Sequence, residues 1–140
     1  MAPHTRTVVN LMFTARYIED RSSALIKQYD ITAQQYNVLR ILRGQKGRPA
    51  NLSTIQERMI DRNSNTTRLV DKLLAKGYVE RQICPENRRK VEISITPQGL
   101  ALLKEMDPPV ESNNNSLVGT LSVAEQETLN SLLDKLRNNS

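Results

Sequence analysis

The sequence predicts a mainly α-helical protein carrying one small β-hairpin. Three observations predict this class. Apolar residues recur at helical spacing along most of the 140 residues. Thr32 with Gln35 and Ser122 with Glu125 form two T/S-x-x-Q/E capping boxes, each opening such a stripe. A single segment, about 78–96, reads instead as two short strands, YVERQI and VEISIT, around the loop CPENRRK.

The first 30 residues carry Val8, Leu11, Met12, Ala15, Ile18, Leu25, Ile26 and Tyr29 on a helical stripe. Thr32 opens a second helix, with Ile31 and Tyr36 placed as a hydrophobic staple and Val38, Leu39, Ile41 and Leu42 continuing it. Gly44 stops it, and GQKGRP is a turn-rich loop. A short third helix is expected over about Leu52 to Met59, with Asn51 or Ser53 as its cap. IDRNSN breaks the pattern before a fourth helix, which Gly77 ends. Val91, Ile93 and Ile95 alternate with Glu92, Ser94 and Thr96, as a half-buried strand requires. Thr96-Pro97 starts a fifth helix through Leu100, Leu103 and Met106, and Asp107-Pro108-Pro109 should end or kink it. ESNNNS is expected as a loop or a weak helical turn. The last helix carries Leu129, Leu132, Leu133 and Leu136.

Composition excludes several classes. Hydrophobic content of 38% with 25% charged residues suits a globular chain of one domain. No run of about 18 apolar residues is present to span a bilayer. The start, MAPHTRT, lacks the apolar centre of a secretory signal. A lone cysteine, Cys84, makes neither an intramolecular disulfide nor a CxxC metal site, so a reducing cytoplasmic location is expected. Catalysis is not expected either. The one histidine, His4, lies in a segment expected to be loose, and no nucleophile–base set, metal cluster or phosphate-binding glycine loop accompanies it.

Charge is segregated. Residues 40–96 hold 13 Lys/Arg against 6 Asp/Glu, a balance of +7, while the remainder balances at −2 to give the total of +5. Three cations in a row, Arg88, Arg89 and Lys90, sit in the hairpin loop. Adjacent cations repel, so an exposed basic finger is best explained by a polyanionic receiver.

Two helices joined by a short turn and followed by a hairpin describe a winged helix-turn-helix. In the fourth helix Thr66, Leu69, Val70, Leu73 and Leu74 share one face. Ser64, Arg68, Asp71 and Lys72 lie opposite, flanked by Asn65 and Thr67. Ser64, Asn65, Thr67 and Arg68 are donors and acceptors suited to a major groove, with Lys72 nearer the phosphates. The same residues are also ordinary helix-start chemistry. The basic hairpin downstream tips the balance towards DNA, with Arg89 in a minor groove and Arg88 and Lys90 on phosphates. Ser53 and Gln56 on the supporting helix are candidate phosphate contacts.

The run TTRLVDKLLAKGYVERQICPENRRKVEISITPQG resembles the recognition helix, wing and following helix start of MarR-type transcriptional regulators. The family's wing pattern, Asp-x-Arg followed after five residues by Leu-Thr, falls on Asn87, Arg89, Ile95 and Thr96. The resemblance makes Arg89 the minor-groove arginine and Asn87 the wing-bracing residue, uncharged where the family has aspartate. It further implies a homodimer. Residues 1–30 and 97–140 would be its dimerisation helices, and 31–96 the DNA-binding lobe. Two lobes demand a roughly palindromic site on double-stranded DNA with half-sites about one helical turn apart. Repression by occlusion is expected.

The family's habit of releasing DNA on binding a small aromatic acid implies an effector crevice between dimerisation helices and lobe. No cofactor is expected, and with no Trp and one Phe an aromatic or phenolic effector would find a sparse aromatic lining. Tyr17, Tyr29 and Tyr36 are expected in core or interface. Relatives that sense oxidants place their cysteine near the N-terminus, whereas Cys84 is at the wing base, where a packing role is expected. The aromatic-poor composition argues against single-stranded RNA. A protein-docking winged helix, which would bind DNA without sequence preference or not at all, stands as the alternative.

Overall fold

The computed structural model describes residues 1–138. Its elements run α1 (Pro3–Lys27), α2 (Ala33–Gly44), β1 (Ala50–Asn51), α3 (Leu52–Arg58), α4 (Thr66–Ala75), β2 (Val79–Cys84), β3 (Asn87–Ile95), α5 (Pro97–Val118) and α6 (Val123–Asn138). The strands form one antiparallel sheet in the order β1-β3-β2.

Helix starts follow the sequence closely. The Thr32 hydroxyl accepts from the Gln35 N–H at 3.1 Å while the Gln35 carboxamide oxygen accepts from the Thr32 N–H at 3.0 Å. A reciprocal cap of this kind is worth about 1 kcal/mol. Ser122 and Glu125 repeat it before α6. Asn51, not Ser53, caps α3 through a 2.7 Å bond from the Thr54 N–H. Gly77 closes α4 with φ +79°, a left-handed conformation that Gly adopts without a Cβ clash, so that Gly77 and Tyr78 N–H reach the Leu74 and Leu73 carbonyls. The Thr96 hydroxyl donates to the Gly77 carbonyl at 2.7 Å and accepts from the Gly99 N–H, tying the end of α4 to the start of α5. Gly99 itself cannot carry a side chain, since a Cβ there would lie 2.4 Å from the Tyr78 carbonyl oxygen.

Four expectations are corrected. A third strand, β1, pairs Ala50 with Ile93 and Asn51 with Glu92, so the hairpin is part of a three-stranded sheet. Two residues are too short to show alternation in a sequence. The wing strands also extend further than expected, with Asn87 to Lys90 inside β3 and Pro85-Glu86 left as the turn. His4 belongs to the first turn of α1, where Pro3 supplies a preset φ. Finally, α5 runs through Pro108 and Pro109, and ESNNNS is helical within it. The carbonyls deprived of a donor by the two prolines belong to Lys104 and Glu105, both exposed, where solvent can satisfy them. Packing fixes the rest: Leu103 and Met106 are fully buried, and Asp107 holds Arg43 of α2 through two bonds of 2.9 and 3.0 Å. That paired carboxylate keeps the Arg43 guanidinium firmly protonated.

The core gathers between α2, α3, α4, β3 and the first half of α5. Val38, Leu39, Ile55, Leu73, Ile93, Leu103 and Met106 are all fully buried there. Ile31 and Tyr36, the expected staple pair, both belong to it, and burial pushes the Tyr36 phenol above its ordinary pKa.

Candidate nucleic-acid interface

The turn between α3 and α4 is held by side chains. Asn37 of α2 accepts from the Ile60 N–H at 2.8 Å, and Gln34 donates to Asp61 at 3.1 Å. Asp61 in turn accepts from the Asn63 N–H through its carboxylate and from the Ser64 N–H through its backbone carbonyl. Gln56 donates to the Arg62 carbonyl at 2.7 Å, and its oxygen accepts from the Thr66 hydroxyl. Gln56 was expected to meet a phosphate. Both ends of its carboxamide are engaged inside the protein, so its structural work is to fix α3 against the start of α4. Ser53 is exposed on α3.

The α4 surface differs from its sequence reading at one position. Ser64 was expected on the exposed face, but α4 begins two residues later, and helical spacing cannot be projected back across its cap. Ser64 is only 8% exposed, and its hydroxyl has no hydrogen-bond partner among the described residues. Asn65 is exposed and is the cap itself, accepting from the Arg68 N–H at 3.1 Å. Thr67, Arg68, Asp71 and Lys72 are exposed, while Thr66, Leu69, Val70 and Leu73 are buried, as the 3.6-residue period requires. Arg68 and Lys72 stand one turn apart on the open side.

The wing owes its shape to a register shift. Pairing is regular from Val79–Ile95 to Ile83–Val91, and then Cys84 pairs with Asn87. Arg88, Arg89 and Lys90 therefore have no partner on β2 and form a bulge that carries all three side chains into solvent. Asn87 accepts from the Arg89 N–H at 3.1 Å. Its bond is thus to the backbone of the bulge, not to a basic side chain, so it needs no negative charge to make it. Cys84 is half-buried beside this shift. Among the described residues no carboxylate lies within 4.0 Å of Arg68, Lys72, Arg88, Arg89 or Lys90. These cations stay available to an outside anion. Wing and helix are joined by Arg81 of β2, whose guanidinium lies 3.4 Å from the Asp71 carboxylate of α4. Sequence reasoning missed that pair; a ten-residue separation across a turn gives no periodic signal.

An open crevice of about 430 Å³ lies where the ends of α1 and α4 meet the start of α2, lined by Lys27, Asp30, Ile31, Gln35, Lys72 and Lys76 among others. Tyr17, Tyr29 and Tyr36 do not line it: Tyr36 is buried, Tyr29 packs against the core, and Tyr17 is exposed with Arg21 4.3 Å from its ring. Among the described residues no group of three or more His, Cys, Asp or Glu is placed to hold a metal ion. No helix there is long and apolar enough to cross a membrane.

Comparison with known proteins agrees with this architecture. The family model described as MarR family matches residues 31–91, the winged-helix lobe. Multiple antibiotic resistance protein MarR of Salmonella typhimurium is 30% identical over 125 residues, covering 85% of each chain. Transcriptional repressor MprA of Escherichia coli is 25% identical over 122 residues, 87% of this chain and 69% of that protein. Among solved structures, BpsR of Bordetella bronchiseptica, whose DNA binding is regulated by 6-hydroxynicotinic acid, has a TM-score of 0.84 at 27% identity. That match covers 98% of this chain and 96% of the other. A helix-turn-helix with a basic wing, set between long terminal helices, defines a winged-helix transcriptional regulator. The chain belongs to the MarR family, a family of transcriptional regulators rather than enzymes.

Proposed function

We propose that the protein is a cytoplasmic, homodimeric repressor that occludes a palindromic operator and releases it when a small aromatic acid binds. The observation that carries the DNA-binding part is the wing. Three cations without acidic partners are displayed by a bulge, on a hairpin tied to the one helix whose open face offers Thr67, Arg68 and Lys72. Arg89 enters the minor groove, Arg88 and Lys90 meet phosphates, and Thr67 and Arg68 read base edges with Asn65 at the helix start. Lys72 and Ser53 take flanking phosphates. Half-buried Gln56 braces the turn, and buried Ser64 fills it.

The dimer is supported by bare apolar faces on α1 and α6, including Met12, Phe13, Leu132 and Leu136. Residues 1–30 and 97–140 form the dimerisation part in this reading, and 31–96 the lobe. Repression is supported by the likeness to MprA, and an aromatic acid effector by the likeness to BpsR. The crevice has the volume of a small-molecule site, and of its three lysines Lys76 is paired with Asp30, leaving the Lys27 and Lys72 ammonium groups for a carboxylate.

Selection from a random duplex pool, followed by titration of the selected site over a salt series, tests the proposal. A palindrome should be enriched, with affinity falling steeply as salt rises. Arg89→Ala should lose about 1–3 kcal/mol of binding. Adding 6-hydroxynicotinic acid or a phenolic acid should weaken the parent's affinity for the selected site. No enrichment, together with an Arg89→Ala protein that behaves like its parent, would leave a protein-docking module as the reading. Enrichment that no aromatic acid reverses would remove only the effector.

A further inference from the structure

Asp71 is out of place on a surface meant for DNA. It is the one acid in α4, is exposed, and follows Arg68 and precedes Lys72 on the open side of the helix. A carboxylate there repels phosphates, and any neutral residue would serve a polyanion better. What Asp71 does hold is Arg81, at 3.4 Å, with both side chains about half exposed. Among the described residues this is the one ion pair between α4 and the wing. Exposed pairs contribute little to stability, so it is not explained as a fold stabiliser. Arg81 is nevertheless well anchored at its own end. Its backbone pairs with Ile93, a fully buried residue in the middle strand of the sheet.

We infer that Asp71 is a positioning residue, and that through Arg81 it sets the wing's angle to α4 so that minor-groove and major-groove contacts fall in register on one operator. The inference rests on the DNA-binding reading above and adds a source of specificity that touches no base. Two lobes displaying mis-angled wings would still bind phosphates, but they would no longer prefer the right spacing between grooves.

The sign of the effect separates positioning from plain charge. Removing a negative charge with Asp71→Asn should by electrostatics alone tighten binding to every duplex. Positioning predicts instead that affinity for the selected palindrome falls while affinity for random duplex holds or rises. The loss corresponds to about twofold to fivefold for each lobe, hence up to about twenty-fivefold for a two-lobed complex. Asp71→Glu, which keeps the carboxylate, should restore most of the preference. Arg81→Ala should lose a similar amount, and the Asp71→Asn/Arg81→Ala double variant should lose no more than either alone. Melting temperatures of all variants should match the parent, since the pair is exposed. An Asp71→Asn protein whose ratio of palindrome to random affinity equals the parent's would overturn the inference and leave the DNA-binding reading standing. If the parent itself selects no sequence, both fall together.

Discussion

Five of the twelve residues of α2 are buried, whereas α6, with sixteen, has none. Both helices open with the same reciprocal cap and both carry an apolar stripe, so their sequences promise similar fates. The difference lies in what meets the stripe. Leu39 and Leu42 of α2 are buried in the core that α2 shares with α4, β3 and α5, while Leu132 and Leu136 of α6 are each 57% exposed. On α1, Met12 and Phe13 are barer still, at 68% and 75%. The lobe completes its core within one chain; the terminal helices leave large apolar side chains in solvent, of the sort that mark an interaction surface where they adjoin. The same kind of pattern thus builds a core in one helix and a bare face in the other, distinguished only by the presence of a facing element.

The strongest way to break this comparison is at its buried end. Leu39→Ala should destabilise the lobe by about 2–5 kcal/mol, a large share of a domain's usual stability, read as a lower midpoint in urea. Leu132→Asp should leave the lobe's urea midpoint nearly unchanged and weaken self-association by about 1.5–3 kcal/mol for each protomer, visible by sedimentation equilibrium. A monomeric parent, or equal damage to lobe stability from both substitutions, would erase the distinction.

A smaller effect sharpens it. The two capping boxes differ in charge: Gln35 is neutral and buried, and Glu125 is ionised and fully exposed. The Ser122 backbone N–H and then its hydroxyl hold the Glu125 carboxyl below its ordinary value of 4.5. A depressed folded pKa means that the cap's contribution is complete above that ordinary value and is lost as pH falls through the folded one. Acid should therefore loosen the start of α6 before that of α2, followed by NMR of the two cap amides, and Glu125→Gln should abolish the dependence. Simultaneous loosening of both starts would show that the caps are not the cause.

Much of this was legible before any coordinates. Capping boxes are local, so Thr32 and Ser122 could be read directly, and the α4 stripe of Leu69, Val70 and Leu73 identified its buried face. What could not be read depends on partners distant in sequence. Ser64 looked like a groove contact because its type fits, but a helix that starts at Thr66 leaves it inside. Gln56 looked free because nothing nearby predicts that Arg62 and Thr66 would occupy it. Pro108 and Pro109 read as an end or a kink, since intrinsic propensity knows nothing of Arg43 waiting for Asp107. The wing cations were found by composition, and their display depends on a register shift that only pairing defines.

The two-residue strand β1 has the longest reach for its size. Asn51 pairs with Glu92 in the sheet while its side chain caps α3, so a single residue joins the root of the wing to the supporting helix. β3 is flanked on both sides at Glu92 and Ile93 and on neither at Arg88 to Lys90. Mechanically the wing is a cantilever, clamped at its base on both edges and carrying its cations on the one stretch of β3 that no strand flanks. A clamp so close to the root lets a short two-residue strand fix how far the whole wing stands out from the lobe.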